Sequence, residues 1–194
     1  MRTTLLHEAT ALTAARGFAG FSLQDVASAV GVRKQSLLYH FENKEALKLA
    51  VIDHLLERAN SSLTRLLGEL PANQDERLDT ILSHINAFLE EEPHAAAVFL
   101  RFLLDRDEAA IDRIRSGARP WFGFLEDALR GAQSKGLVRE DLDPEVAVLQ
   151  VGMLVITNFA LLHVDWTDKA SASWRKRRLK ELVRSINAIL ISGP

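Results

Sequence analysis

The chain contains no cysteine, which excludes disulfides, thiolate metal sites and cysteine nucleophiles and is compatible with a reducing cytoplasm. Strand signals are almost absent, as are internal repeats and low-complexity stretches. Catalytic signatures are equally scarce. His7-Glu8 is not followed by a second histidine at zinc-motif spacing, no glycine loop of the phosphate-cradling kind occurs, and there is no Gly-x-Ser-x-Gly. Asp141-Leu142-Asp143 reads as a helix cap, and His163-Val164-Asp165 as polar residues at the surface near a helix end rather than a metal pair. No enzymatic activity, cofactor or metal is expected.

A large excess of one sign of charge is also missing: the formal net charge is -2. Its distribution is uneven, with six Lys/Arg against four Asp/Glu in residues 1–50 and 18 against 22 in the remainder, so the first quarter is the basic part. No secretory signal is evident after Met1, and a cytoplasmic location is expected. The 19 residues from Val146 to Val164 carry no formal charge and approach the span of a bilayer core. They include Gln150, Thr157, Asn158 and His163 between acidic flanks, without positive-inside asymmetry. The expectation is a helix buried on two sides, and no membrane partner.

What is present is helical periodicity, broken at Gly17, Gly31, Pro71, Pro93, Pro120, Gly136 and Pro144. The spacing predicts an all-α protein of about nine helices. The first runs over roughly Thr4 to Arg16 and stops at Gly17. Ser22 caps a short helix from Leu23 to Val30, with Asp25 at capping-box spacing. After Gly31 a second short helix covers about Lys34 to His40, and Asn43 caps a long helix from Lys44 to about Leu70. Further helices are expected near 75–91, 93–104, 108–134, 144–164 and 171–191, with Gly117 and Pro120 breaking or kinking the one that contains them.

Two short helices joined by a glycine-containing turn form a helix-turn-helix, whose second helix can lie in the major groove of DNA; the same pair also occurs as a plain structural unit. The residues carry more than the pattern. The stretch from Ser22 to Leu47, with Val26, Ala27, Gly31, Val32, Ser36, Leu37, Tyr39, His40, Phe41, Lys44 and Glu45 at matching positions, resembles the TetR family of bacterial repressors. The resemblance covers about the first 50 residues.

Val26, Ala27, Val30, Val32, Leu37 and Phe41 would clamp the two helices. The exposed candidates for DNA contact are Gln24, Arg33, Lys34, Gln35, Ser36 and Tyr39: Gln can donate and accept on one base edge, Arg or Lys suits guanine, and hydroxyls reach bases or phosphates. The resemblance implies that Tyr39, His40 and Lys44 contact or organise the phosphate backbone, Lys44 near a helix N-terminus. Leu38 and Arg33 depart from the family pattern, where a tyrosine and a capping Ser/Thr are usual.

The expected organisation is a DNA-binding domain over 1–46 and a ligand-binding and dimerisation domain over 47–194. A reading head this small calls for a homodimer on two half-sites of a double-stranded operator. Val148, Gly152, Val155 and Phe159, with Leu182, Val183, Ile186 and Leu190, supply two apolar stripes for a four-helix interface, while Val151, Leu154, Leu161 and Leu162 would face the protomer's own core. Aromatic and polar groups in the middle, His84, Phe88, Phe99, Phe102, Trp121, Leu125, Gln150 and Met153, are candidates to line a cavity for a small, hydrophobic inducer, although each aromatic taken singly is more often core. The resemblance implies that this ligand changes the placement of the two heads and releases repression. The competing reading is a helical protein-binding scaffold that binds no DNA. The Arg175 to Arg178 run reads as an exposed helix face or a partner surface.

Overall fold

A computed structural model describes residues 1–71, 73, 76–161 and 172–191. The described residues are helical, without strands, in the order α1 (Arg2–Arg16), a 3₁₀ turn (Phe18–Gly20), α2 (Leu23–Ala29), α3 (Lys34–His40), α4 (Lys44–Glu69), α5 (Arg77–Glu91), α6 (Ala95–Leu104), α7 (Glu108–Gln133), α8 (Pro144–Ala160) and α9 (Ala172–Leu190). His163 and Asp165 lie outside the described residues.

Local chemistry sets most of these boundaries. Gly17 has φ 72°, a backbone conformation that favours glycine, and its N–H closes on the Thr13 carbonyl to end α1. Ser22 and Asp25 form the expected capping box at the head of α2. The hydrogen bonds from Ser22 hold the Asp25 carboxyl below its ordinary pKa. Asn43 Oδ1 accepts from the Ala46 N–H at 2.8 Å to start α4, and Asp143 accepts from Glu145 and Val146 at the start of α8.

The break expected at Gly117 or Pro120 does not occur. Helix α7 runs unbroken through Gly117 and Pro120. Pro120 lies on the exposed side, as does Ser116, whose carbonyl loses its i+4 donor to the proline but faces water. Gly117 instead permits a close crossing: a methyl group there would collide with a δ-methyl of Leu56 in α4. That crossing is also held by Arg113, which donates to both oxygens of Asp53 at 2.5 and 2.6 Å.

The small N-terminal head consists of α1, α2 and α3, with Leu5, Leu6, Ala9, Val26, Ala27, Leu37 and Phe41 buried. The body is built on α4, packed against α5 and α7, with α8 against α6, α7 and α9. Side chains of α6 tie the head to the body. Phe18 packs its ring 6.1 Å from that of Phe102 in α6. Arg101, also in α6, donates to the carbonyls of Ala14 at 2.9 Å and Ala15 at 3.2 Å, groups that the end of α1 leaves without helical partners. Lys48, buried in α4, pairs with Glu45 and with Asp107, the N-cap of α7.

Burial disfavours the charged form of both Lys48 and Asp107, but the hydrogen bonds and attraction between them prevail: the lysine is raised above, and the aspartate lowered below, its ordinary pKa. Lys48→Met keeps the apolar stem and removes the charge. It is expected to cost about 2 kcal/mol at neutral pH, below the full value for a buried pair because Asp107 keeps some access to water. A depressed carboxylate stabilises the fold above its unfolded pKa and ceases to do so as pH falls through its folded value. Urea unfolding should therefore show the gap between wild type and variant at pH 7, closing below the usual carboxylate range.

Candidate DNA-reading face and ligand cavity

Helix α3 has seven residues, and its buried side is a single side chain, Leu37, together with Phe41 just beyond its end. Apart from half-buried His40, the rest faces out. Arg33, Lys34, Gln35, Ser36, Leu38 and Tyr39 are exposed, Tyr39 at 87 %, and Gln24 is exposed on α2 beside them. The Tyr39 ring stands edge-on to that of His40, with centroids 5.3 Å apart. Arg33 is the N-cap of α3 and makes no side-chain capping bond, so its guanidinium is not used in holding the helix. Gln24 donates to Ser28 Oγ at 2.9 Å along its own helix.

Lys44 behaves differently from its neighbours. Its ammonium donates to the Phe21 carbonyl and lies 5.1 and 4.9 Å from the Phe18 and Phe21 ring centroids. Of the two roles open to it, contacting phosphate or organising the surface, this geometry serves the second: it fixes the corner between α1 and α2.

The body holds an open-sided apolar cavity of about 800 Å³, within the range of ligand sites. Phe88, Phe99, Trp121, Leu125 and Met153 line it, as the sequence suggests. His84, Phe102 and Gln150 do not. His84 sits between α5 and α4, its Nδ1 3.0 Å from the Thr80 carbonyl and its Nε2 3.2 Å from Glu69. Phe102 is taken into the joint with the head, and Gln150 lies on the exposed side of α8. Sequence reasoning missed the aliphatic walls, among them Leu56, Ile81, Ile85, Leu89, Ile114 and Val151. Leu, Ile and Val at helical spacing look the same whether a neighbour or a void faces them. The indole N–H of Trp121 is shut off from solvent and has no acceptor, and the walls offer a ligand mainly shape and apolar area. Arg77, Arg115 and Asp127 are the charged side chains among the lining residues.

The expected dimer stripes need correcting. Val148, Val155 and Phe159 on α8, and Leu182, Ile186 and Leu190 on α9, are buried within the protomer itself, while Gly152 and Val183 are half-buried. Because α8 is apolar nearly all round, spacing could not say which side meets α6, α7 and α9. The side left open carries Val146, Leu149, Gln150, Met153 and Thr157. The basic run is also partly accounted for. Arg178 donates to the carbonyls of Asn158 at 2.7 Å and Leu161 at 3.2 Å, closing the end of α8, and its guanidinium lies over the Trp174 ring.

Residues 5–51 match the family model for bacterial regulatory proteins of the tetR family, the segment that holds the capping box, α3 and the Lys44 corner. A transcriptional repressor of Pseudomonas putida, NicS, is 24% identical over 183 residues, covering 89% of this chain and 86% of the relative. The N-terminal segment of the chain is thus similar to the DNA-binding part of TetR-family regulators. Among solved structures, the ketosteroid transcriptional regulator KstR2 of Mycobacterium tuberculosis superposes with a TM-score of 0.79 at 17% identity, covering 99% of this chain and 95% of that one. AibR in complex with isovaleryl coenzyme A and operator DNA superposes at 0.75 with 22% identity, covering 95% and 97%. At these identities the TetR likeness beyond residue 51 is one of fold. Among the described residues, no helix is long and apolar enough to cross a membrane.

Proposed function

We propose that the chain is a ligand-responsive transcriptional regulator: a homodimeric repressor whose residues 1–46 bind operator DNA and whose residues 47–194 dimerise and take up a small hydrophobic inducer. The observation that carries this reading is the outward face of α3, where Arg33, Lys34, Gln35, Ser36 and Tyr39 stand exposed together on a helix whose only buried side chain is Leu37. Arg and Lys there supply bidentate or point-charge contacts, Gln35 an amide for a base edge, and Ser36 and Tyr39 hydroxyls for phosphate. His40, half-buried, would support Tyr39.

The inducer would act through α6. Ala96, Phe99 and Leu103 on this helix line the cavity, while Arg101 and Phe102 hold the head. A ligand that favours a different seat for α6 thereby favours a different seat for α1, and the population with correctly spaced heads falls. The reading assigns no catalytic step to the chain, and it places the protein in the cytoplasm, where its DNA is.

The test is a binding titration against the DNA flanking the protein's own gene at several salt concentrations. Two cations per head in a dimer, Arg33 and Lys34, give a slope of log affinity against log salt of roughly -4 or steeper. Affinity that is flat with salt, or absent on any DNA at low salt, would contradict the reading and favour a helical scaffold for another protein.

A further inference from the structure

The end of the head that carries Tyr39 also carries a cation from another helix. Arg2, the first residue of α1, holds its guanidinium over the Phe41 ring, 5.4 Å from its centre. Phe41 in turn lies 6.3 Å from His40, and His40 5.3 Å from Tyr39, ring centre to ring centre. Four side chains therefore follow one another across the C-terminal end of α3, with a cation at one end and a phenol hydroxyl at the other. Phe41 is buried while Arg2 is exposed, so the guanidinium covers the ring from the solvent side. Elsewhere, Arg58, Arg113, Arg130 and Arg139 are each engaged by carboxylates. Arg2 has no such partner among the described residues, and the first turn of α1 contains no acidic residue.

We propose that Arg2 is a further DNA contact, taking a backbone phosphate beside the one reached by Tyr39, so that the head holds DNA through the start of α1 as well as through α3. The inference rests on the proposed regulator function for there being a DNA complex; the contact from α1 is its own content. Two considerations select a phosphate. The N-terminal residues of a recognition helix contact base edges, here Lys34, Gln35 and Ser36, which leaves the C-terminal end, with Tyr39 and His40, at the sugar-phosphate wall of the groove. Arg2 stands at that end and outside α3. A guanidinium lying over a ring also spends its face on the ring and keeps its N–H edge free, and that edge is the fork that matches phosphate geometry.

The ring contact also prepares the site. A long side chain immobilised on binding loses rotamer freedom, whereas Arg2 is already held over Phe41 by attraction to the ring. Each cation set on a phosphate releases condensed counterions and steepens the slope of log affinity against log salt by about 0.9, and a dimer makes the contact twice. Phosphate contacts carry no sequence information. Arg2 therefore raises affinity for operator and for unrelated duplex by the same factor and leaves the choice of sequence to α3.

The experiment measures the salt dependence of binding by the full chain, on the DNA flanking its own gene and on an unrelated duplex. Arg2→Met keeps the apolar stem and removes the charge; Arg2→Lys keeps the charge. Melting curves check the fold, which substitution of an exposed side chain should leave within about two degrees of wild type, and Arg2→Gln replaces the methionine variant should that one unfold. The expected result for Arg2→Met is a slope shallower by about 2, so that over a fourfold rise in salt it loses about tenfold less affinity than wild type. The change should be the same on both duplexes, and Arg2→Lys should keep the wild-type slope. A folded, uncharged variant with the wild-type slope, whether or not its affinity falls, would reduce Arg2 to a prop for Phe41 and overturn the proposal. A change confined to one duplex, or a lysine variant as shallow as the methionine one, would overturn it as well. Wild-type protein that binds no DNA at low salt would instead sink the regulator reading, whereas failure of the Arg2 contact alone leaves wild-type binding in place.

Discussion

Alanine at both Lys34 and Tyr39 is expected to weaken operator binding by roughly a thousandfold while leaving thermal unfolding within about a degree or two of wild type. Contacts of this kind are each worth about 1–3 kcal/mol, and a dimer loses them twice. Stability should hold because both side chains are exposed, and surface substitutions away from caps and buried networks usually change stability by less than about 0.5 kcal/mol. A control sharpens the comparison. Leu37, one position in the chain from residues that face outward, is fully buried, so Leu37→Ala should cost about 2–5 kcal/mol of folding and lose DNA binding by that route. Electrophoretic mobility shifts read beside melting curves distinguish the two: the double variant fails only the first, Leu37→Ala both. Wild-type affinity in the double variant would remove α3 as the reading helix.

Arg101→Ala is expected to reduce operator affinity about tenfold and to raise amide hydrogen exchange at the end of α1 and in the 3₁₀ turn, with binding of Nile red, a neutral apolar fluorophore, to the cavity unchanged. The guanidinium supplies two charge-assisted hydrogen bonds to Ala14 and Ala15 carbonyls across a separation of some 86 residues in sequence, and bonds of this class are worth about 1.5–3 kcal/mol each in place. Part of that is recovered when water reaches the freed carbonyls. Because Arg101 does not line the cavity, a loss of probe binding would show that the variant disturbs the body as a whole, and unchanged operator affinity and exchange would show that α6 does not hold the head.

What the sequence disclosed follows the range of the interactions. Ser22 with Asp25, Asn43, Gly17 and Asp143 act on backbone within a few residues of themselves, and each of these signals marks the boundary it implied. The outward residues of α3 were legible for a related reason: seven residues with one buried leucine leave few ways to turn the helix. Lys44 was legible as a feature but not in its partner, since Phe21 reaches its ammonium only through the corner that α1 and α2 make. Helix α8 was legible in its extent and opaque in its orientation. With Val, Leu, Ile, Met and Phe on every side, nothing in the order of residues says that Val148 and Val155 turn inward while Leu149 and Met153 turn out. The cavity was legible only through its aromatics, because aliphatic walls have the same periodicity as a filled core.

The most direct test of the central claim is selection of bound sequences from a random duplex DNA pool by the full-length protein, repeated with the Lys34→Ala, Tyr39→Ala variant. The account predicts enrichment of an inverted repeat with half-sites spaced by one or more helical turns, and its loss in the variant. A pool that stays random with the wild-type protein, or that enriches the same repeat with the variant, would contradict it.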